Sequence, residues 1–280
     1  MNYLPKFLRT FSLLIALGSL LVACGSSTST TTTTPPVATA TTAPVTLNVF
    51  AAASLTGSFN ALAASYKQTH PNVNLILNYN GSQILEQQIA NGAPADIFAS
   101  ADLANMQKAG AAGLVGTSQI FAKNRLVVIL PFSNPGKIMS LKDLARKGIK
   151  IDLEASTVPA GKYSRQALMN MSQSSQYGAN FASEVLGNVV SQEDNVKAVV
   201  QKVQLGEADA GFVYVTDAFS ASGKVMVIDI PDPYNVIAQY PIAVVKNSAH
   251  ADDAQTFVGF VLSPAGQAIM KKYQFIPVNA

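Results

Sequence analysis

The sequence has no tryptophan, a single cysteine and two histidines in 280 residues, and only 12% of its residues are charged. One cysteine permits neither a disulfide framework nor a cysteine-based metal site. The histidines, His70 and His250, are far apart, and neither lies near a serine at a strand-to-helix corner. No serine–histidine pairing for nucleophilic catalysis is therefore indicated. The G-x-S-x-G elbow of hydrolases and the G-x-x-x-x-G-K-[ST] phosphate loop are both missing. Clusters of lysine and arginine do not exceed a pair or so, which argues against a nucleic-acid surface. The formal charge is +3; with Lys6 and Arg9 set aside, 17 basic residues face 16 acidic ones.

What the chain does have is apolar residues, 49% of the total, and a segmented N-terminus. Lys6 and Arg9 precede the run FSLLIALGSLLVA, which is shorter than the ~20 residues a membrane-spanning helix needs and reads as the core of a secretory signal. Residues 1–23 are accordingly expected to be a signal peptide. Leu21-Val22-Ala23-Cys24-Gly25 resembles a bacterial lipobox, which makes Cys24 the expected lipidation site. Residues 24–45 are rich in serine, threonine, proline and alanine and are expected to form a lipid-anchored disordered linker.

From Thr46 onward, strand-like and helix-like stretches alternate. TLNVFA reads as a strand, and Leu55, Phe59, Leu62, Ala63 and Tyr66 then follow helical spacing. VNLILNYN and ADIFAS are strands, each followed by a short helix. RLVVILP is a strongly buried strand, and NVKAVVQKVQLGEA is a helix stopped at Gly206. DAGFVYVT, KVMVIDI and QYPIAVVK are strands, with Pro241 marking an edge or a bulge. Two helices, at 251–262 and 264–273, close the chain. The alternation predicts an α/β protein with largely parallel, buried sheets. RLVVIL and YPIAVV bracket about a hundred residues, as they would if the chain crossed to a second lobe and returned.

Four helix starts share one character. AAAS-L-T, YNGS-Q-I, TVPAG-K-Y and QEDN-V-K put small or capping residues where a helix follows a strand or loop. Ser54 and Ser82 are expected as N-caps. Ala160 and Gly161 leave backbone N–H groups uncovered, and Asn195 can cap the helix that starts at Val196. Helix N-termini offer free N–H donors and partial positive charge, so they bind anions without a cation. A single such corner usually only caps its helix; four on alternating elements point further. Tyr214 ends an apolar strand, either as a core residue with a wet hydroxyl or as a neutral donor facing a cleft. Glu193 and Asp194 are adjacent, so their side chains diverge and make a poor acid–base pair. Asp96, Asp102, Asp209 and Asp217 are scattered and expected to be caps or surface charges.

The stretches VFAAASLTGSF, GSQILEQQIANGAPADIFASAD, VPAGKYSRQAL, EDNVKAVVQKVQLGEADAGFVYVTDA, YPIAVVKNS and FVGFVLSPAGQAIMKKYQFIP resemble the periplasmic molybdate-binding proteins of ABC transporters. The resemblance covers residues 46–280. It implies a two-lobed type II periplasmic-binding-protein fold, with residues 46–125 and 236–280 in lobe 1 and 126–235 in lobe 2. It further implies a molybdate or tungstate oxyanion in the cleft, held by Ser54, Ser82, Ala160, Val196 and Tyr214. No protein–metal bond, cofactor or catalysis is implied. The implied partners are a membrane permease and, through Cys24, the membrane itself; a monomer outside the cytoplasm is expected. Members often carry a second serine beside the one at 82, whereas this chain has Gly81-Ser82-Gln83. No acid stands at the five implied positions, so affinity is expected to be nearly flat from about pH 6.5 to 8.5, below the ordinary tyrosine range near 10. The rivals are the same fold binding another ligand, such as sulfate, phosphate or ferric iron, and a surface hydrolase using Ser54. The last lacks a credible base.

Overall fold

The computed structural model describes residues 43–278. The signal segment, Cys24 and the linker as far as residue 42 lie outside those residues. Ten strands form two five-stranded sheets. The first has the order β2 (Val73–Asn80), β1 (Val45–Ala52), β3 (Ile97–Ala99), β10 (Ala238–Val244) and β4 (Gln119–Asn124). The second has the order β7 (Val189–Glu193), β6 (Ile151–Glu154), β8 (Ala210–Tyr214), β5 (Leu126–Pro131) and β9 (Val225–Asp229). Within each sheet the three strands at one side pair in parallel: β1 with β2 and β3, and β6 with β7 and β8. The strands that link the lobes, β10 and β5, pair antiparallel with both neighbours. Mixed direction follows from connectivity, because a chain that leaves a sheet and returns enters it from the far end.

The strands read as apolar runs because helices cover both faces. All six residues of β5 are buried, as are all five of β8. In the first lobe, α1 (Thr56–Thr69) turns Phe59, Leu62 and Tyr66 inward. There they meet α8 (Ala251–Leu262): the Tyr66 and Phe257 rings pack edge to face at 5.1 Å. In the second lobe, α6 (Val196–Leu205) buries Val196, Val199, Val200 and Val203 at helical spacing and stops at Gly206, whose φ of 72° a glycine adopts without strain. The closing helices are α8 and α9 (Pro264–Lys272). Among the described residues no helix is long and apolar enough to cross a membrane.

Two strands escaped the sequence pattern. β4 is buried without a regular period, and β7 alternates only between half-buried and exposed positions, an alternation its sequence VVSQE does not mirror in apolar and polar residues. Pro241 marks a bulge, not an edge: β10 lies between β3 and β4, and its register against β4 shifts between Tyr240 and Pro241. The chain passes from the first sheet to the second between Asn124 and Leu126 and returns between β9 and β10. Asn235 straps these two crossings together. Its Oδ1 accepts the Leu126 N–H at 3.1 Å, and its Nδ2 donates to the carbonyls of Leu126 and Ile230 at 2.9 and 3.2 Å.

Candidate functional site

The strand-to-helix corners of the two lobes meet around one small cavity. Ser54, Ser82, Val196 and Tyr214 line it, together with Pro159 and Glu154. Four of the five residues implied for ligand binding are thus brought together. The fifth, Ala160, is buried directly behind Pro159 in the first turn of α4 (Pro159–Ser172) and does not itself line the cavity. The space is small, about 10 Å³, and excludes an extended solute. Lysine, arginine and histidine are missing from its lining.

Neither serine acts as the N-cap expected of it. Ser54 lies within a 3₁₀ turn, Ala53–Leu55, that precedes α1, and its hydroxyl pairs with the Tyr240 hydroxyl at 3.0 Å. The extra turn moves the start of α1 to Thr56, so Ser54 stands one step too early to cap it. Ser82 is the first residue of α2 (Ser82–Ala90), after Gly81, and its Oγ accepts the Ala101 N–H at 2.9 Å. Both hydroxyls are nearly fully buried at the cavity wall. Asn195 does cap α6 as expected: its Oδ1 accepts the N–H groups of Lys197 and Ala198 at 3.1 and 3.2 Å, and Val196 stands ahead of both on the cavity side.

Two glycines let backbone approach where a side chain could not. A Cβ on Gly81 would collide with the carbonyl of Asp194 in the other lobe. Gln83 completes this contact by donating to the Asp194 carbonyl at 2.9 Å. A Cβ on Gly161 would collide with the carbonyls of Ala155 and Glu154.

Tyr214 is 1% exposed, and its hydroxyl has no hydrogen-bond partner. A buried hydroxyl without a partner costs roughly 1–3 kcal/mol, so its place at a cavity wall shows which group a ligand would satisfy. Burial, with Tyr240 and Glu154 nearby, holds its pKa well above the ordinary tyrosine value, so it stays a donor. Tyr240, behind Ser54, was not legible as part of the site. Its hydroxyl also receives the Asn124 amide at 3.4 Å, and Asn124 donates to Thr216 Oγ1 at 3.0 Å, which ties the first lobe to the second beneath the cavity.

The sequence pattern also missed Glu154, the last residue of β6. It is 4% exposed, lines the cavity, and its Oε2 accepts the Gly161 N–H at 3.0 Å. Burial pushes its carboxyl up to about 8, against the backbone N–H groups of Gly161 and Ala160, with Asp217 and Asp102 adding to the rise. The usable signal was positional: in α/β sheets, residues at the carboxyl ends of strands face the ligand crevice. The five implied positions themselves hold no acid; Glu154 borders the cavity beside them.

The other acids divide. Asp102 caps α3 (Leu103–Ala111), accepting the Asn105 N–H at 3.0 Å, and Asp209 accepts the Lys150 N–H at 2.8 Å. Asp217, expected as a cap or surface charge, is instead fully buried, with Lys197 Nζ at 2.9 Å. Glu193 binds Ser191 and Lys202, away from the cavity. His70 stacks on Tyr66 at 3.9 Å, and His250 precedes α8. Among the described residues, no group of three or more histidine, cysteine, aspartate or glutamate side chains could hold a metal ion.

A family model described as bacterial extracellular solute-binding protein matches residues 47–276. The chain is 36% identical over 256 residues to a molybdate-binding protein of Mycobacterium tuberculosis, covering 91% of this chain and 92% of that one. It is 31% identical to YvgL of Bacillus subtilis, provisionally named an ABC transporter substrate-binding lipoprotein, over 82% of this chain and 86% of the other. The solved sulfate-binding protein SubI of M. tuberculosis superposes with a TM-score of 0.75 over 84% of this chain and 88% of its own, at 20% identity. That likeness concerns the fold alone.

Proposed function

The chain belongs to the bacterial extracellular solute-binding proteins, and from this premise we propose that its cavity binds molybdate, and tungstate with it, outside the cytoplasm for delivery to an ABC transporter permease. The carrying observation is one cavity lined by Ser54, Ser82, Val196 and Tyr214 from both lobes, with no cationic side chain in its wall. A dianion there is held by neutral dipoles. We assign side-chain donation to Ser54, Ser82 and Tyr214, and backbone donation to Ala160 and Val196 at the starts of α4 and α6. Hydrogen bonds to a charged group contribute roughly 1.5–3 kcal/mol each. Five such bonds sum to roughly 7.5–15 kcal/mol, the same range as the roughly 8–12 kcal/mol of micromolar to nanomolar binding.

The fold does not choose among oxyanions, since a sulfate-binding protein shares it. Sequence identity does favour molybdate, through the relative that is 36% identical across nearly the whole chain. A ring of fixed donors discriminates by radius, so molybdate and tungstate should bind far more tightly than sulfate or phosphate. Isothermal titration with the four anions at pH 7 is the test. Sulfate binding as tightly as molybdate would overturn the assignment.

We further propose that the protein binds without catalysis, and that Cys24 carries a lipid that holds it at the membrane. The lipobox-like LVACG sequence supports the anchor. Cell fractionation should find the wild type in membranes and Cys24→Ala released; a wild type that is wholly soluble would refute it.

A further inference from the structure

The cavity wall contains one feature that an anion site should avoid, an acid. Glu154 is not placed there by accident of a flexible loop. It ends β6, a strand paired on both sides, and its carboxyl is buried and held by the Gly161 N–H. The charged and titratable groups around it do not neutralise it. From α4, Arg165 turns to backbone and donates to the carbonyls of Glu154 and Gly161 at 2.9 and 2.8 Å, and Tyr163 is neutral. Beyond Tyr214, Asp217 is engaged by Lys197 of α6. From the first lobe the nearby charge is Asp102, another acid that raises the Glu154 pKa. An ionised Glu154 would oppose a dianion across a small, dry space with no cation between them.

A protonated Glu154 behaves differently. One carboxyl oxygen still accepts from Gly161, and the other can carry a hydrogen into the cavity. The acid then adds a neutral donor to the set formed by Ser54, Ser82 and Tyr214. We propose that Glu154 is a further binding residue of the anion site, one that must carry a proton when a tetrahedral dianion is bound and that donates a hydrogen bond through it to an anion oxygen. When Glu154 is ionised beforehand, binding takes one proton from solvent onto its carboxyl; when it is already protonated, none is taken. The burial that raises its pKa to about 8 supports the same assignment.

This inference rests on the proposed binding of a tetrahedral dianion, and the test separates the two. Sodium molybdate is titrated into the intact protein by calorimetry at pH 7 and pH 9.5, each in two buffers of different ionisation enthalpy. Above about pH 8, affinity should fall about tenfold per pH unit, as linkage to one proton requires. The heat at pH 9.5 should report uptake of close to one proton per anion. Glu154→Gln presents an acceptor to Gly161 and a permanent donor to the cavity, so its affinities at pH 7 and pH 9.5 should agree within about threefold. A wild type whose affinity is flat across this range, with no buffer-dependent heat, overturns the inference and leaves molybdate binding standing. A Glu154→Gln protein that keeps the wild-type decline would also overturn it, by assigning the proton elsewhere. Should that variant not fold, the wild-type titrations decide alone. Absence of molybdate binding at both pH values removes the functional reading itself.

Discussion

Both lobes bury carboxyl groups, and they treat them differently. In the first lobe Asp96 accepts the Asn48 N–H at 2.7 Å and the Ser248 hydroxyl at 2.6 Å, and Asp102 accepts both the backbone and side-chain N–H groups of Asn105. These acids are pins: each holds a loop by saturating its own oxygens. In the second lobe Asp152 is fully buried with neither oxygen hydrogen-bonded, and Asp217 lies within ion-pair distance of Lys197 but outside hydrogen-bond geometry. Asp217 depends on one lysine for its charge, while Asp152 and Glu154 have no cation of their own. The first lobe is thus a fixed wall, and the sensitivity of the molecule to pH resides in the second.

The sharpest way to break this contrast is to remove Lys197. Lys197→Ala would leave Asp217 buried and uncompensated, and breaking a buried pair in this way costs about 3–5 kcal/mol. Adding Asp217→Asn should recover most of that loss. Denaturant unfolding at pH 8 reads both; a single variant as stable as wild type would mean that the second lobe tolerates the bare charge.

Next comes Asp152, which burial, aided by Glu193, pushes up to about 7. An acid with a raised folded-state pKa destabilises the fold once it ionises. Its cost is absent below the ordinary value of 3.8, grows as pH rises towards 7, and is complete above that. Asp152→Asn should therefore stabilise the protein at pH 8, by at most ~4 kcal/mol at 1.36 kcal/mol per pKa unit, and make no difference near pH 3.5. Equal unfolding free energies for the two proteins at pH 8 would show that the charge is met after all.

The smallest effects separate two ligand donors. Ser54→Ala and Tyr214→Phe should each weaken molybdate binding by about 1–3 kcal/mol. Without ligand they should part company. Ser54→Ala removes the shorter of the two hydrogen bonds of the Tyr240 hydroxyl, leaving it the Asn124 amide, and should cost about 1 kcal/mol of stability, whereas Tyr214→Phe deletes a hydroxyl that has no partner and should cost nothing. Thermal unfolding of the two ligand-free variants gives the comparison, and a larger loss for Tyr214→Phe would reverse it.

Much of this was legible in the sequence, and the failures have physical causes. Apolar runs such as RLVVILP announce strands because both faces are covered, while the sequences of β4 and β7 give no apolar period to read. The corners at Ser54, Ser82 and Val196 stood out because helix starts have a chemical signature, whereas Tyr214, at the end of an apolar strand, joined them only through the family resemblance. The bonding of the two serines was not legible, because the partners Tyr240 and Ala101 lie 186 and 19 residues away. Glu154 was hidden for a simpler reason: an acid closing a strand looks like a surface charge until the opposing lobe covers it.

Asn235 has a consequence of its own. Two polypeptide spans joined only at their ends could twist about each other, letting one half of the molecule yaw and roll freely against the other. Three hydrogen bonds from a single amide, to Leu126 on one span and Ile230 beside the other, lash the pair into a flat ribbon. A flat ribbon flexes readily across its thin dimension and resists every other deformation. Tied at Asn235, the two spans resist twisting about each other, which keeps the serines of one half in register with the tyrosine of the other.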